Sequence, residues 1–266
     1  MRVNICYGYT HSFFLNAIYD SLCFDIHDSS TIAHYCVSIA LFCHLKLQFS
    51  MSLTNEQLAA LRVDYALASF EESNALPNPF DQFKTWFEEA IKAQVNEPNA
   101  MTLATVKPDG TPSARIVLLK GIEGNAFTFY TNQQSAKANQ MHVKPNIALV
   151  FCWLELQRQV RIEGVVSKIN DADAAAYFNS RPRKSQLGAW ASPQSNILAS
   201  RAELEARYAE AEKEFEDKPV TKPPHWGGYA VEPHYIEFWQ GRQSRLHDRL
   251  AYTLEQGVWK ISRLAP

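Results

Sequence analysis

The stretch AMTLATVKPDGTPSARIVLLKGIEGNAFTFYT, residues 100–131, decides the fold. Three runs rich in Thr, Val, Ile, Leu and Phe, at 100–107, 113–121 and 126–131, read as short strands. Between them stand Pro108-Asp109-Gly110-Thr111 and Gly121-Ile122-Glu123-Gly124-Asn125, which carry turn chemistry. Strands this short, joined by turns this tight, pair antiparallel. Downstream, 146–154 and 157–168 read as a second hairpin. Runs at 228–231, 235–239, 245–254 and 258–264 add further strands, with Glu255-Gln256-Gly257 turning the last pair. A meander of this kind closes most naturally into a small barrel.

Helices flank the strands. Thr54 and Gln57 form a capping-box pattern that opens a helix over 54–69. Asn78-Pro79 is an N-cap followed by proline at the first helical position. Phe80, Phe83, Phe87 and Ile91 then follow at helical spacing as a core stripe. Further helices are expected over 171–179, 184–191 and 200–215, the last with a Ser200…Glu203 capping box and an apolar face of Leu204, Tyr208, Ala211 and Phe215. The fold class is mainly β with flanking helices (α+β).

The first fifty residues differ from the rest. They hold Cys6, Cys23, Cys36 and Cys43, four of the five cysteines. Only Arg2, Lys46, Asp20, Asp25 and Asp28 are charged there, whereas the whole chain is 20% charged. A signal peptide fits poorly, because Asp20, Asp25 and Asp28 interrupt the apolar run. Residues 32–47 are apolar, but they include His34 and His44 and fall short of the ~20 residues a membrane span needs. The cysteine spacing offers no paired metal clip. We read 1–50 as a poorly ordered extension, or as sequence upstream of a true start at Met51. The remaining body, 51–266, holds one cysteine, Cys152, read as a small buried side chain. One cysteine suits a reducing, cytoplasmic setting.

The 266 residues, 46% of them hydrophobic, suffice for a substantial core. A net charge of −2 gives no basic excess that would indicate nucleic acid. There is no P-loop, GxGxxG, HExxH or GxSxG motif, so neither a dinucleotide fold nor the usual protein nucleophiles are signalled. What stands out is cations and hydroxyls on apolar elements. Arg115 and Lys120 bracket an aliphatic strand. Thr131, Ser135 and Lys137 surround a strand-to-helix turn; helix capping and phosphate binding both explain that cluster. Residues 177–186, YFNSRPRKSQ, place three cations, a tyrosine and two serines at a helix–Pro–helix junction with no acidic neighbour. That composition favours a phosphate pocket. Arg245, His247 and Arg249 alternate, and on a strand they would share one face.

Together RIVLLK (115–120), FYTN (129–132), RQVRIEG (158–164), YFNSRPRKSQLGAWAS (177–192), IEFWQGRQSRLHDR (236–249) and WKISRLAP (259–266) resemble the pyridoxamine/pyridoxine 5′-phosphate oxidase family. The resemblance runs over 51–266 and does not extend to 1–50. It implies an FMN-binding split barrel, an FMN cofactor, and a homodimer whose active sites lie at the subunit interface. The C-terminal dimerisation and active-site segment would begin near residue 224. The implied activity is oxidation of pyridoxamine and pyridoxine 5′-phosphates by O2 to pyridoxal 5′-phosphate, with no nucleic-acid or membrane partner and no metal.

By the same resemblance FMN would be bound by Arg115, Ile116, Val117, Leu118, Leu119, Lys120, Tyr130, Thr131, Lys137 and Gln159, with Gln194, Ser195, Trp239 and Arg249 completing the site, partly from the second subunit. Lys120, Tyr177, Arg181 and Ser185 would grip the substrate phosphate. Arg245, Leu246 and His247 would lie against the pyridine ring, with Arg245 and His247 as the catalytic pair. The segment Arg62…Tyr65 resembles the stretch that closes over the site. Three positions depart from the family pattern. Ala136 replaces a cation common before Lys137, Val63 replaces the second arginine of an Arg-Arg-x-Tyr pattern, and Glu97 replaces an aspartate. Two rivals remain: an oxidoreductase on the same barrel acting on another ring, and a flavin or pyridoxal-phosphate carrier without turnover.

Overall fold

The computed structural model describes residues 54–61 and 64–266. Residues 1–50 and Arg62 lie outside them, as do the expectations placed on both. By contact the chain divides after Arg62. On the N-terminal side only α1, Asn55–Ala60, is described. Thr54 Oγ1 accepts the Gln57 backbone N–H while the Gln57 side chain accepts that of Thr54, as the capping box requires. The expected helix over 54–69 is corrected. Leu61 already has extended backbone, and the Ala66 and Leu67 N–H groups bond the Gln157 side chain instead of a helical turn.

In the body, α2 (Pro79–Lys92) is capped by Asn78, whose side chain accepts the Phe80 N–H. Nine strands follow in one antiparallel sheet: β1 (Ala100–Val106), β2 (Pro112–Leu118), β3 (Gly121–Glu123), β4 (Ala126–Asn132), β5 (Asn146–Trp153), β6 (Arg158–Lys168), β7 (Trp226–Gln240), β8 (Asp248–Glu255) and β9 (Val258–Arg263). The pairing order is β2-β1-β5-β6-β7-β4-β3, with β8 and β9 branching from β7. Strand β7 explains the branch. One edge pairs β6 along nearly its whole length. The other is divided, with Trp226–Val231 against β4 and Tyr235–Gln240 against β8. That division is the split of the barrel.

Two strands, 228–231 and 235–239, were expected where β7 runs unbroken. Pro233 cannot donate in a ladder, and the structure accommodates it beside a bulge in β7, where His234 is the extra residue opposite the Glu163–Gly164 step of β6. Gly164 is required there: a Cβ would sit 2.4 Å from the Glu232 carbonyl oxygen. A second departure concerns 245–249. Arg245 lies in a short helical turn, Gln243–Arg245, and β8 begins only at Asp248, so Arg245, His247 and Arg249 do not share a strand face.

The main core lies under α2. Phe83, Phe127, Phe129, Phe151 and Phe238 are fully buried, with Trp153 nearly so. On α2 the buried stripe is Phe80, Phe83, Trp86 and Ala90, rotated slightly from the expected one. Phe87 is only partly buried and Ile91 is exposed. A second core joins α4 (Asp171–Ser180), α5 (Arg183–Ala191) and α6 (Arg201–Glu214) through Phe178, Leu187, Ala211, Phe215, Val220 and Trp226. It fixes the helix–Pro–helix junction onto the start of β7. The short helix α3 (Ala136–Val143) follows β4. Cys152 is exposed, not buried; it faces outward on β5, where alternate residues point in.

Candidate active site

A cavity of about 440 Å³ opens where β2, β4, α3, α4 and α5 meet. Ile116, Val117, Leu118, Lys120, Tyr130, Thr131, Lys137, Tyr177, Arg181, Ser185 and Gln194 line it, all named from the sequence. Ser180 and Pro182, of the junction read as a phosphate pocket, line it too, as does Trp226, which was not foreseen. Trp226 stacks on Tyr130 with ring centres 5.4 Å apart, and Tyr130 stacks on Tyr177 at 4.0 Å. The Arg181 guanidinium lies over Trp226 at 4.8 Å. A tryptophan two residues past Pro223-Pro224 gave no motif to read.

The cavity is cationic and short of anions. Lys137 Nζ donates to Gln194 Oε1 at 2.9 Å and Thr131 Oγ1 at 3.2 Å, both neutral. Burial pulls Lys137 below the usual lysine range, and Arg115 adds to the effect. Burial also lowers Arg181, whose Nη1 is enclosed without a hydrogen-bond partner among the described residues. Among those residues, none of Arg115, Lys120, Lys137 and Arg181 forms an ion pair with a carboxylate. Helices α3 and α5 both begin without a side-chain cap bond, leaving early N–H groups to other acceptors. One of these, Ala136 N–H, donates to Ser195 Oγ at 3.1 Å, and Ser195 takes a left-handed φ of 75° to reach it. A site so built suits an oxyanion such as phosphate. Of the two readings of the Thr131–Lys137 cluster, the missing Ser135 cap bond favours phosphate binding.

Leu119 and Arg115, both expected at the cofactor, are not among the residues that line the cavity. Leu119 packs in the main core. Arg115 lies mid-strand in β2, bonds the Thr105, Ser113 and Gln140 side chains, and is close enough to Lys137 to lower its pKa. The aliphatic run between Arg115 and Lys120 is not buried throughout: Ile116, on the edge strand β2, is 63% exposed.

The other named residues gather in a second group. Gln159, Trp239 and Arg249 are cross-strand neighbours on β6, β7 and β8. The His247 ring lies 4.5 Å from Trp239, and Tyr65 meets both rings edge-on at 5.8–5.9 Å. Gly241 permits that approach, since a Cβ there would stand 2.8 Å from the Tyr65 ring. Arg245 and Leu246 are exposed on the turn. Arg249 is held by Glu237, Nε to Oε1 at 2.8 Å, and by the Ala265 carbonyl oxygen. Glu237 is buried, and its bonds to Arg249 and Arg161 keep its carboxyl below the usual range despite that burial. Sequence reading missed Glu237; a lone carboxylate in an apolar strand was its signal. Burial, then Arg245, lowers the His247 imidazole.

Comparisons with known proteins give the family. Residues 87–214 match the pyridoxamine 5′-phosphate oxidase family model, and 226–266 match the pyridoxine 5′-phosphate oxidase C-terminal dimerisation region. A pyridoxine/pyridoxamine 5′-phosphate oxidase of Acaryochloris marina is 52% identical over 80% of this chain and 97% of its own. One from Ralstonia nicotianae is 55% identical over 79% of this chain and 99% of its own. The chain belongs to the pyridoxamine 5′-phosphate oxidase family.

As a family member it is an FMN-dependent oxidoreductase and a homodimer. The second group of residues falls within the dimerisation region apart from Tyr65 and Gln159. Among solved structures, PhzG of Burkholderia lata, in complex with tetrahydrophenazine-1-carboxylic acid, superposes with a TM-score of 0.72 at 28% identity. It covers 77% of this chain and all of its own. An FMN-binding protein of Nostoc punctiforme shares the fold, with a TM-score of 0.59 at 19% identity, over 72% of this chain and all of its own. Among the described residues, no helix is long and apolar enough to cross a membrane.

Proposed function

We propose that this chain oxidises pyridoxamine and pyridoxine 5′-phosphates to pyridoxal 5′-phosphate with FMN and O2, releasing hydrogen peroxide, and ammonia from the amine. The cavity of unpaired cations carries the reading. Substrate and cofactor each bring a phosphate, and among the described residues Lys137 and Arg181 form no ion pair with a carboxylate. The residues fit both groups. Lys137, Thr131 and the α3 N-terminus, with Gln194 and Ser195, hold the FMN phosphate end. Arg181, Lys120, Tyr177 and Ser185 hold the substrate phosphate, Arg181 offering the buried Nη1 that has no partner among the described residues.

FMN when bound supplies a hydride acceptor that O2 can reoxidise. The protein supplies orientation. With the phosphate fixed at one end, Arg245 and His247 press on the pyridine ring at the other, so that C4′–H points at the acceptor. Arg249 places a fixed positive charge where negative charge develops. Because Trp239, His247 and Arg249 stand apart from the phosphate cavity within one chain, each site takes its second group from the partner subunit.

The test is stoichiometric. Pyridoxine 5′-phosphate and air should give equal amounts of pyridoxal 5′-phosphate and peroxide. Binding of FMN and pyridoxal 5′-phosphate without peroxide would make the chain a carrier instead. We assign the activity to 51–266. A protein lacking 1–50 is therefore expected to keep kcat, KM and Tm nearly unchanged; loss of soluble, FMN-loaded protein would give the extension a structural part. The cytoplasm is the setting that one cysteine in this body suits.

A further inference from the structure

Residues 64–71 cross the second group as a non-helical strap that ends in a short helical turn, Glu72–Asn74. Three side chains hold it: Gln157, Asp248 and Arg263. Near its start Gln157, itself left-handed with φ 55°, accepts the N–H groups of Ala66 and Leu67 at 3.1 and 3.4 Å. At its end Asp248 Oδ2 accepts the Phe70 N–H at 3.0 Å. The same buried carboxylate takes two guanidinium bonds, Arg242 Nη1 to Oδ2 at 3.0 Å and Arg263 Nη1 to Oδ1 at 2.8 Å. Arg263 then reaches back to Glu71 and Glu72 on the strap.

Arg242 connects this junction to the expected chemistry. Its backbone N–H donates to His247 Nδ1 at 3.1 Å. With Nδ1 accepting, the single proton of the neutral imidazole sits on Nε2, which is left to donate outward. Tyr65, on the strap, and Trp239 flank the same ring. The Asp248 carboxylate thus ties the end of the strap to the turn that carries the imidazole.

We propose that Asp248 is a positioning residue for the oxidation: by binding the strap and the 242–247 turn at once, it fixes His247 as the Nε2–H tautomer beside Tyr65 and Trp239. The catalytic consequence rests on the reading that His247 faces the substrate ring. An amide in place of the carboxylate keeps the shape but offers only one accepting oxygen to three donors, one of them a backbone N–H. The turn then loosens while the distant phosphate cavity is left intact.

The experiment uses the FMN-loaded dimer labelled with 15N-histidine, with His247→Gln assigning the ring signals. The unmodified protein should show His247 as the Nε2–H tautomer. Asp248→Asn should give a mixture of tautomers and lower kcat by roughly tenfold, with the Kd for FMN held within about twofold, as misorientation without lost cofactor binding requires. Arg242→Gln should shift the tautomer in the same direction with a smaller fall in kcat, and it decides the matter alone if Asp248→Asn does not fold. Unchanged tautomer in both variants, or a kcat that falls only in step with FMN affinity, would overturn the proposal. The tautomer is read without turnover. A mixed tautomer with normal kcat would therefore refute the role of His247 rather than its link to Asp248.

Discussion

Ala136 opens α3 with an exposed methyl group, its N–H on Ser195 Oγ and its neighbour Lys137 turned into the cavity. The family commonly has a cation here, and nothing in the local packing forbids one. Ala136→Arg is expected to tighten FMN binding by about 1–2 kcal/mol through a charge-assisted pair. It should also lower the Tm of FMN-free protein, because it adds a charge beside Lys137, whose charged form burial and then Arg115 already disfavour. Titration with FMN, and melting with and without it, would show both. Arg181 and His247 differ in kind. The phosphate that Arg181 holds does not react, so Arg181→Ala should mainly raise KM, by about 30–150-fold or ~2–3 kcal/mol. His247→Ala should lower kcat more than it raises KM, because the ring it orients carries the reacting bond. Steady-state kinetics with saturating FMN that reversed this division would refute it. Most of the phosphate cavity was legible in the sequence, since cations without local acids are conspicuous among apolar residues. Glu237, Gln157 and Asp248 were not, because each gains its meaning from partners far along the chain, such as Arg249 for Glu237 and Phe70 for Asp248.

At the scale of elements, the strands were legible because their alternation and turn residues are local signals. The errors fall where tertiary contacts override such signals. The break expected between 231 and 235 is absent, because β7 bulges at His234 and Gly164 of β6 leaves room for the Glu232 carbonyl. The 64–71 strap looked helical, yet its N–H groups at Ala66, Leu67 and Phe70 are taken by Gln157 and Asp248. Arg245 looked like strand, yet Ser244 and Arg245 hold φ of 55° and 60° with no glycine to announce the turn. The bulge carries its own test. In Gly164→Ala the new Cβ meets backbone, not the end of a flexible side chain, so a strand must move. A loss of about 2–3 kcal/mol in urea unfolding is expected, within the usual cost of overpacking. Loss near zero would mean that the β6–β7 pair yields without strain.

The whole molecule resolves why one chain carries two incomplete groups. The phosphate cavity is built by β2, β4 and the helices of the second core, whereas Trp239, His247 and Arg249 stand on or beside β7 and β8, within the dimerisation region. On the proposed reading a symmetric dimer joins the cavity of each chain to the ring group of the other, giving two equivalent sites. The arrangement makes a quantitative demand on mixed dimers. Arg181→Ala and His247→Ala chains, co-expressed with different tags, can be purified as the hybrid. If the two groups meet across the interface, one hybrid site holds both substitutions and the other holds neither. At low substrate the hybrid is then expected to show about half the activity of the unmodified dimer, although either parent homodimer shows little. If each chain instead completed its own site, both hybrid sites would be damaged. Activity would then stay at the mean of the two parents, and the shared-site reading would fail.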